Sequence, residues 1–438
     1  MKKVLFLTYF WPPSGKATLH WPLKVIKYLP EFGWEVTVLT AKEDSFTVKD
    51  ESLLSEVSPN LEVVKVKTLE PFGIYKKFTG KEKDAALVAS ETISATDKSL
   101  THKISIWIRM NLFVPDARIG WYLPAVSEGK KILKGKNFDV IISIGPPHST
   151  HVVAMKLAKK SGIPHFPVLI DPWVDIIYYK NFKRSTPTLA FDNFLEKSVM
   201  KNAKVVIFVT ETTRNDYISK YNFLGNKSHV LYWGYNEDDF KNLTPVLLPL
   251  EGGKGEGSFP KEGGSSGEEV LVHAGNIFDY QNPKVFWAML KNEIKRGRKL
   301  KIKFIGTVGP LIKKEIEDAG LNSITEYLGF LPYKKMLEEL NKASYLLVCA
   351  TEKRHVPGKL FEYLRSGKPI IAFGDDNQEV KKILEEANAG MIFHYDEDGK
   401  EFFDKVKTFN TDIAKVKTFD RKNITAGFAE ILRGNLQN

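Results

Sequence analysis

Cysteine occurs once among the 438 residues, as Cys349, so the chain can build neither an internal disulfide framework nor a thiolate metal cluster. That cysteine lies inside the apolar run Tyr345-Leu-Leu-Val-Cys-Ala350, which reads as a buried thiol in a protein kept in a reducing compartment. Long apolar runs are missing as well. No stretch approaches the roughly 20 residues that cross a bilayer as a helix, which argues against an integral membrane protein. The nine histidines show no zinc-site spacing, so no metal is expected. The three-glycine fingerprint of dinucleotide-binding sheets is absent too, and a nicotinamide or flavin enzyme is not supported. Acidic residues number 53 against 64 basic ones, a net charge of +11. Such an excess favours anionic partners: phosphorylated small molecules, nucleic acid or the acidic face of a membrane. No zinc-finger, RNA-recognition or basic-arm signature accompanies it, so nucleic acid is set aside.

With 43% apolar residues the chain has material for two or three domains, each with its own core. Its first eleven residues imitate a signal peptide, but no small-residue cleavage site follows, and Pro12-Pro13 and Gly15 come at once. We read them as a first buried strand over 4–8. A helix is predicted over about 17–32 and a strand over 35–40, a βαβ opening. The alternation resumes with strands at 138–143, 165–170 and 204–210 and a helix at about 149–160. These strands are continuous apolar runs, as parallel strands covered on both faces are. Residues 245–268 shift to Gly, Ser, Pro and Glu and read as a linker. A second series follows, with strands at 270–273, 302–306, 325–328, 345–348 and 369–373. The expected architecture is α/β, two Rossmann-like domains with parallel sheets.

Residues 71–123 break the alternation. They are Lys-rich early and Trp-, Phe- and Ile-rich later, as in Ile104-Ser-Ile-Trp-Ile-Arg-Met-Asn-Leu-Phe113. Such a segment suits peripheral contact with an anionic membrane, rings sunk and cations at the lipid phosphates. An inserted helix packed on the core is the alternative.

In sheets of this kind ligands bind beyond the carboxyl ends of the strands. Gly15, after the first strand, lets the backbone approach a ligand. The segment His355-Val-Pro-Gly-Lys-Leu-Phe-Glu-Tyr-Leu364 follows a strand and opens a helix. Gly358, Lys359 and Leu360 fall at its N-terminus, where N–H groups and an ammonium suit a diphosphate. Glu362, one turn on, can accept from the vicinal hydroxyls of a ribose, or it is merely a solvated face residue. Asp396-Glu-Asp398 spells D-x-D but reads as a turn.

Taken in order, Tyr9-Phe-Trp-Pro-Pro-Ser-Gly15, Gly145-Pro-Pro-His-Ser-Thr150, Ile170-Asp-Pro-Trp173, Gly234-Tyr-Asn-Glu-Asp-Asp-Phe240, His273-Ala-Gly-Asn276, Tyr327-Leu-Gly-Phe-Leu-Pro332 and Pro357-Gly-Lys-Leu-Phe-Glu-Tyr-Leu364 make the chain resemble the family-four retaining glycosyltransferases of the GT-B fold. The resemblance is to bacterial polysaccharide and lipid-linked-sugar transferases, and it implies two Rossmann-like sheets facing each other across a cleft. It also implies an acceptor-binding domain over 1–244, a nucleotide-sugar-binding domain over 269–420 and a C-terminal helix over 421–438 returning to the first. The implied activity is metal-independent transfer of a sugar, with retention, from a nucleotide-diphosphate sugar to a glycan or lipid-linked acceptor. The expected setting is cell-surface polysaccharide synthesis, in the cytoplasm or on the inner face of its membrane. No cofactor is implied beyond the nucleotide sugar as co-substrate.

Carried over by position, Gly15 would face the donor phosphates, Gly275 would begin the phosphate-side loop, Leu331 would offer backbone groups to the nucleobase and Glu362 would bind ribose. Asp171 would lie beside the transferred sugar, with His148 in a neighbouring loop of the first domain, and the two are the candidate catalytic residues. Without the family, Asp171 reads as a cap or turn residue and His148 as a capping histidine. Three departures stand out. The first glutamate of the E-x7-E pattern falls at Arg354, with Glu352 out of register. Asn276 and Gln281 (or Asn282) stand where relatives carry cations. The N-terminal glycine pair is reduced to Gly15-Lys16. A leaving diphosphate needs compensating charge, and Lys16, Arg354 and Lys359 are expected to supply it. A catalytically degenerate nucleotide-sugar or glycan-binding module is the alternative function, and a nucleotide-sugar 2-epimerase relative a more distant one.

Overall fold

The computed structural model of the chain describes residues 1–69, 100–176, 182–241 and 268–436. The linker expected at 245–268 falls, but for its last residue, outside the described residues, as do 71–99 of the segment assigned to a membrane. The chain divides into two units. One comprises Met1–Tyr232 with Ile424–Asn438, the other Trp233–Asn423.

The first unit is built on seven strands: β1 (Lys2–Leu7), β2 (Trp34–Ala41), β3 (Glu62–Val66), β4 (Val140–Gly145), β5 (His165–Leu169), β6 (Val206–Phe208) and β7 (Ser228–Val230). Their order across the sheet is β3-β2-β1-β4-β5-β6-β7, every pairing parallel. Its helices are α1 (His20–Tyr28), α2 (Leu100–Leu112), α3 (Tyr122–Gly135), α4 (Ser149–Ser161), α5 (Thr186–Asn202) and α6 (Glu211–Lys220). Val4, Leu5, Phe6 and Leu7 are fully buried, and every residue of β4 is buried, because both sheet faces are covered. Leu5, Leu7, Tyr9, Trp121 and Val153 share one core cluster. Each ring buried there contributes on the order of 2 kcal/mol.

The second unit carries β8 (Glu269–Ala274), β9 (Leu300–Ile305), β10 (Thr325–Gly329), β11 (Tyr345–Cys349), β12 (Ile370–Phe373) and β13 (Gly390–Phe393), ordered β10-β9-β8-β11-β12-β13 and again parallel. Its helices are α7 (Lys284–Lys295), α8 (Pro310–Asp318), α9 (Tyr333–Lys342), α10 (Lys359–Ser366), α11 (Gln378–Glu386), α12 (Lys400–Lys405) and α13 (Ile413–Lys417). Leu271, Phe286, Trp287, Phe304, Leu347, Phe373 and Phe402 form its core. The last helix, α14 (Arg421–Leu436), belongs from Ile424 onward to the first unit. There Phe428 packs on Trp21 and Arg433 donates to the Phe32 carbonyl at 3.0 Å.

The α/β alternation expected from the apolar runs is present in both units, and each sheet is of the doubly wound kind. The helix predicted over 17–32 is α1 with a short 3-10 turn at each end, Ala17–Leu19 and Leu29–Phe32. Strands β3, β7 and β13 have no counterpart in the sequence prediction. Each lies at the edge of its sheet, and β3, with the burial pattern of a half-covered strand, has no continuous apolar run to announce it.

Candidate functional site

Each sheet reverses direction of winding at one strand: β1 lies between β2 and β4, and β8 lies between β9 and β11. Loops leaving the carboxyl ends of such neighbours run to opposite faces and open a crevice. The residues singled out by sequence fall at these ends. Gly15 and Lys16 follow β1, His148 follows β4 and Asp171 follows β5; Gly275 and Asn276 follow β8, Leu331 follows β10, and Arg354, Gly358 and Lys359 follow β11.

In the second unit two of them meet. Gly275 has φ +106°, and a Cβ added to it would come 3.0 Å from Lys359 Nζ, so the ammonium occupies the space over this exposed turn. Lys359 Nζ also lies 3.0 Å from Nε2 of His273, the residue two before Gly275. Burial lowers the Lys359 pKa to about 8. Lys359 opens α10, whose N-cap, Gly358, supplies no side-chain cap. The Leu360 and Phe361 N–H groups at the start of α10 bond the Pro357 and Gly358 carbonyls, so the group best suited to phosphate oxygens here is the Lys359 ammonium.

One turn further on, Glu362 is 6% exposed. Its Oε1 accepts from the Tyr333 hydroxyl at 3.2 Å, while Oε2 is buried without a hydrogen-bond partner. Burial raises its pKa to about 7, against the opposing charge of Arg421. An orphaned buried carboxylate oxygen is costly and calls for a donor such as a hydroxyl pair.

The loop between β11 and α10 is braced rather than open along its length. Arg354 pairs with Glu352 through two contacts of 3.1 and 3.2 Å. Asn377 Nδ2 donates to the Glu352 and His355 carbonyls, and the Thr351 N–H donates to His355 Nδ1. Gln281 is turned inward: its Nε2 donates to the Cys349 carbonyl at 2.7 Å and its Oε1 accepts from the Phe278 N–H, so both amide ends are engaged. Asn276 is exposed and its Oδ1 accepts from the Thr307 N–H. Leu360 is fully buried, and its N–H bonds to the Pro357 carbonyl. Leu331 is half-buried at the end of the β10 loop, two residues before Tyr333.

In the first unit, His148 is buried, with its ring stacked 5.0 Å from that of Trp173 at 7°. Both ring nitrogens are unpartnered, and burial drives the pKa down to about 3, so the ring is neutral at physiological pH. It occupies the N-cap position of α4 without capping it; Asp116 does that, accepting from the Ser149 N–H at 2.8 Å. The Trp173 indole N–H donates to Asp192 at 2.7 Å, and Asp192 is paired with Arg184 at 2.6 Å. The backbone N–H of Trp173 donates to Tyr217, and that of Val174 to the buried Glu196. Helices α5 and α6 thus clamp the turn holding half-buried Asp171. Gly15 packs against Val48, its N–H donating to the Val48 carbonyl, and Lys16 is half-buried beside it.

Sequence reasoning missed His273, Tyr333 and Asn377 as site residues. Only His273 left a trace, a histidine at the end of the apolar run Val270-Leu-Val-His273. Cys349 is buried, with its thiol pushed up to about 12 by burial. Asp396–Asp398 is an exposed turn in which Glu397 accepts from the His394 N–H and Asp398 from the Lys400 N–H. Among the described residues no cluster of three or more His, Cys, Asp or Glu side chains could hold a metal ion. Nor is any described helix long and apolar enough to cross a membrane.

The chain matches the family model Glycosyltransferase Family 4 over residues 84–239 and the model Glycosyl transferases group 1 over residues 268–412. No curated protein sequence matches it. Among solved structures it is similar to sucrose-phosphate synthase (tll1590) from Thermosynechococcus elongatus, with a TM-score of 0.61, 12% identity and 99% of each chain covered. It is also similar to Anabaena Alr3699/HepE in complex with UDP and glucose, with a TM-score of 0.60, 15% identity, and 99% of this chain and 100% of that one covered. The apo lipopolysaccharide outer core galactosyltransferase WaaB gives a TM-score of 0.60 at 12% identity, with 99% of each chain covered. At these identities the likeness is one of fold. Two parallel-sheet Rossmann-like units and two matched models make this chain a glycosyltransferase of the GT-B fold, a Glycosyltransferase Family 4 domain followed by a Glycosyl transferases group 1 domain.

Proposed function

We propose that the second unit holds a nucleotide-diphosphate sugar and that the first unit recognises a glycan or lipid-linked acceptor, to which the sugar passes with retention of anomeric configuration. One arrangement carries the reading: a Lys359 ammonium over the Gly275 turn at the start of α10, with the buried, unpartnered Glu362 Oε2 one turn away. The ammonium suits the diphosphate, and Glu362 suits the ribose hydroxyls. In the transfer, the bond from the anomeric carbon to the diphosphate oxygen breaks, and its electron pair leaves with the diphosphate. The acceptor oxygen bonds to that carbon on the same face, and its proton passes to the departing phosphate. Lys359 then opposes the developing negative charge, the role a divalent cation plays elsewhere, and this is the basis for proposing metal independence.

Of the three cations expected to compensate the leaving group, Lys359 is the one whose position supports the role most. Arg354 is already paired with Glu352, so its charge is largely spent. Asp171 and His148 remain proposed sugar-side residues, His148 as a neutral hydrogen-bonding ring. Structurally similar HepE holds UDP and glucose, so UDP-glucose is the first donor to try. Incubated with donor and acceptor, the enzyme should give product whose anomeric signal in a fresh NMR spectrum matches that of the donor. An inverted anomer would overturn retention, and binding without turnover would favour the non-catalytic module.

The cytoplasmic face of a membrane, in cell-surface polysaccharide synthesis, is the setting we propose. Ile104, Trp107 and Leu112 of α2 are exposed, an unusual display on a chain of charge +11. The full-length protein should co-sediment with phosphatidylglycerol-containing vesicles but not with pure phosphatidylcholine, and Trp107→Ser should weaken that several-fold. Equal sedimentation of wild type and variant would remove α2 from the contact.

A further inference from the structure

His273 is the fifth residue of β8 and is buried. Its Nδ1 lies 3.0 Å from the Leu347 carbonyl of β11, a group that can only accept, so Nδ1 carries the hydrogen. Nε2 is then a bare acceptor, and the group facing it at 3.0 Å is the Lys359 ammonium, which can only donate. Partners on both sides thus fix one tautomer of the neutral ring. Burial, together with the Lys359 charge, holds its pKa well below the usual value. A lysine ammonium ends a flexible four-carbon stem that by itself would sample many positions. Among the described residues, His273 is its hydrogen-bond partner. That bond uses one of three N–H donors and leaves two for a ligand over the Gly275 turn.

We propose that His273 is a positioning residue for the transfer, fixing the Lys359 ammonium over the Gly275 turn where the donor diphosphate binds, without itself touching the substrate. The inference rests on the donor-site reading above, and it explains why an apolar strand carries a histidine at its penultimate position. The side chain must donate to a fixed backbone carbonyl on one side and accept from a cation on the other, and imidazole does both within one rigid ring.

The test is a double-mutant cycle in the full-length enzyme, read by UDP titration, donor KM and kcat, and thermal melting of each protein. His273→Asn keeps a donor to Leu347 and removes the acceptor for Lys359; His273→Leu removes both; His273→Gln restores an acceptor at the Nε2 position. We expect His273→Asn to weaken UDP binding and raise donor KM about tenfold, and His273→Gln to recover most of that loss. In a Lys359→Met background, His273→Asn should cost nothing further, because the two act as one unit.

A pH profile adds an independent reading. The titratable groups facing Lys359 are His273 from β8, Cys349 from β11 and His355 from the loop before α10, with Glu352 beyond His355. Burial lowers His355 to about 4 and raises Cys349 to about 12, which leaves Lys359, near 8, to titrate between. UDP binding by wild type should fall as pH rises through about 8. The inflection should move lower in His273→Asn, whose charged Lys359 has lost its acceptor, and should vanish in Lys359→Met. Equal His273→Asn losses in both backgrounds, or an unmoved inflection, would overturn the positioning role. An unchanged UDP affinity in Lys359→Met would instead overturn the donor-site reading itself.

Discussion

Lys359→Met should cut turnover with a nucleotide-sugar donor by two to three orders of magnitude, the scale on which removing a preorganised group at a developing charge acts. The thermal melting of the ligand-free protein should not suffer in parallel, because burial already disfavours the Lys359 charge. Two other residues expected on the donor side are committed elsewhere. Arg354 is held by Glu352, and Gln281, at a position expected to face the donor, is committed to the Cys349 carbonyl. Arg354→Ala should accordingly cost far less than Lys359→Met. Steady-state kinetics of the two variants against a common donor checks the ranking, and a larger loss in Arg354→Ala would return the main compensating role to that residue.

Glu362→Gln should move binding and stability in opposite directions. The glutamate keeps an unpartnered buried oxygen, an arrangement suited to a ligand but adverse to the empty protein. Losing charge-assisted bonds to two ribose hydroxyls should weaken nucleotide binding on the order of a hundredfold. The stability effect follows from the pKa, raised to about 7 from 4.5 by burial. Between those values the folded state holds a proton that the unfolded state has released, so stability falls as pH rises through this window. Below 4.5 the penalty is absent, and above 7 it is complete, on the order of 3 kcal/mol at 1.36 kcal/mol per unit. Glutamine carries no such charge, so Glu362→Gln should melt higher than wild type at pH 8 and about equally at pH 4.5. Melting curves at the two pH values, with and without UDP, separate the two effects.

The strands that carry the site were legible because parallel strands buried on both faces are continuous apolar runs. Val4–Leu7, all of β4 and the whole of β11 could be read in this way. Three of the four edge strands could not, since β7 and β13 are three and four residues long and β3 is exposed or half-buried at every position but its last. Lys359 and Glu362 stood out because a glycine and a lysine opening a helix, with an acid one turn on, is a local pattern. The residues that fix their geometry come from far along the chain. His273 meets Lys359 across 86 positions and Tyr333 meets Glu362 across 29, and no local spacing encodes either pairing. Arg354 is the intermediate case: its partner Glu352 lies two residues away, visible in the sequence but readable as a pair only once the loop was folded. His148 shows the same limit, because its neutrality depends on burial that only the folded turn, with Trp173 stacked on the ring, supplies.

On the proposed function, the second unit holds a nucleotide-diphosphate sugar between Lys359 and Glu362. The most direct test is a thermal-shift screen of the wild-type protein and Glu362→Gln against UDP-, GDP- and ADP-linked sugars, with and without EDTA, since a ligand that binds only the folded state raises its melting temperature. The expected result is a rise selective for one nucleotide, unchanged by EDTA and lost in Glu362→Gln. No rise with any donor up to millimolar concentration, or an equal rise in Glu362→Gln, would contradict it.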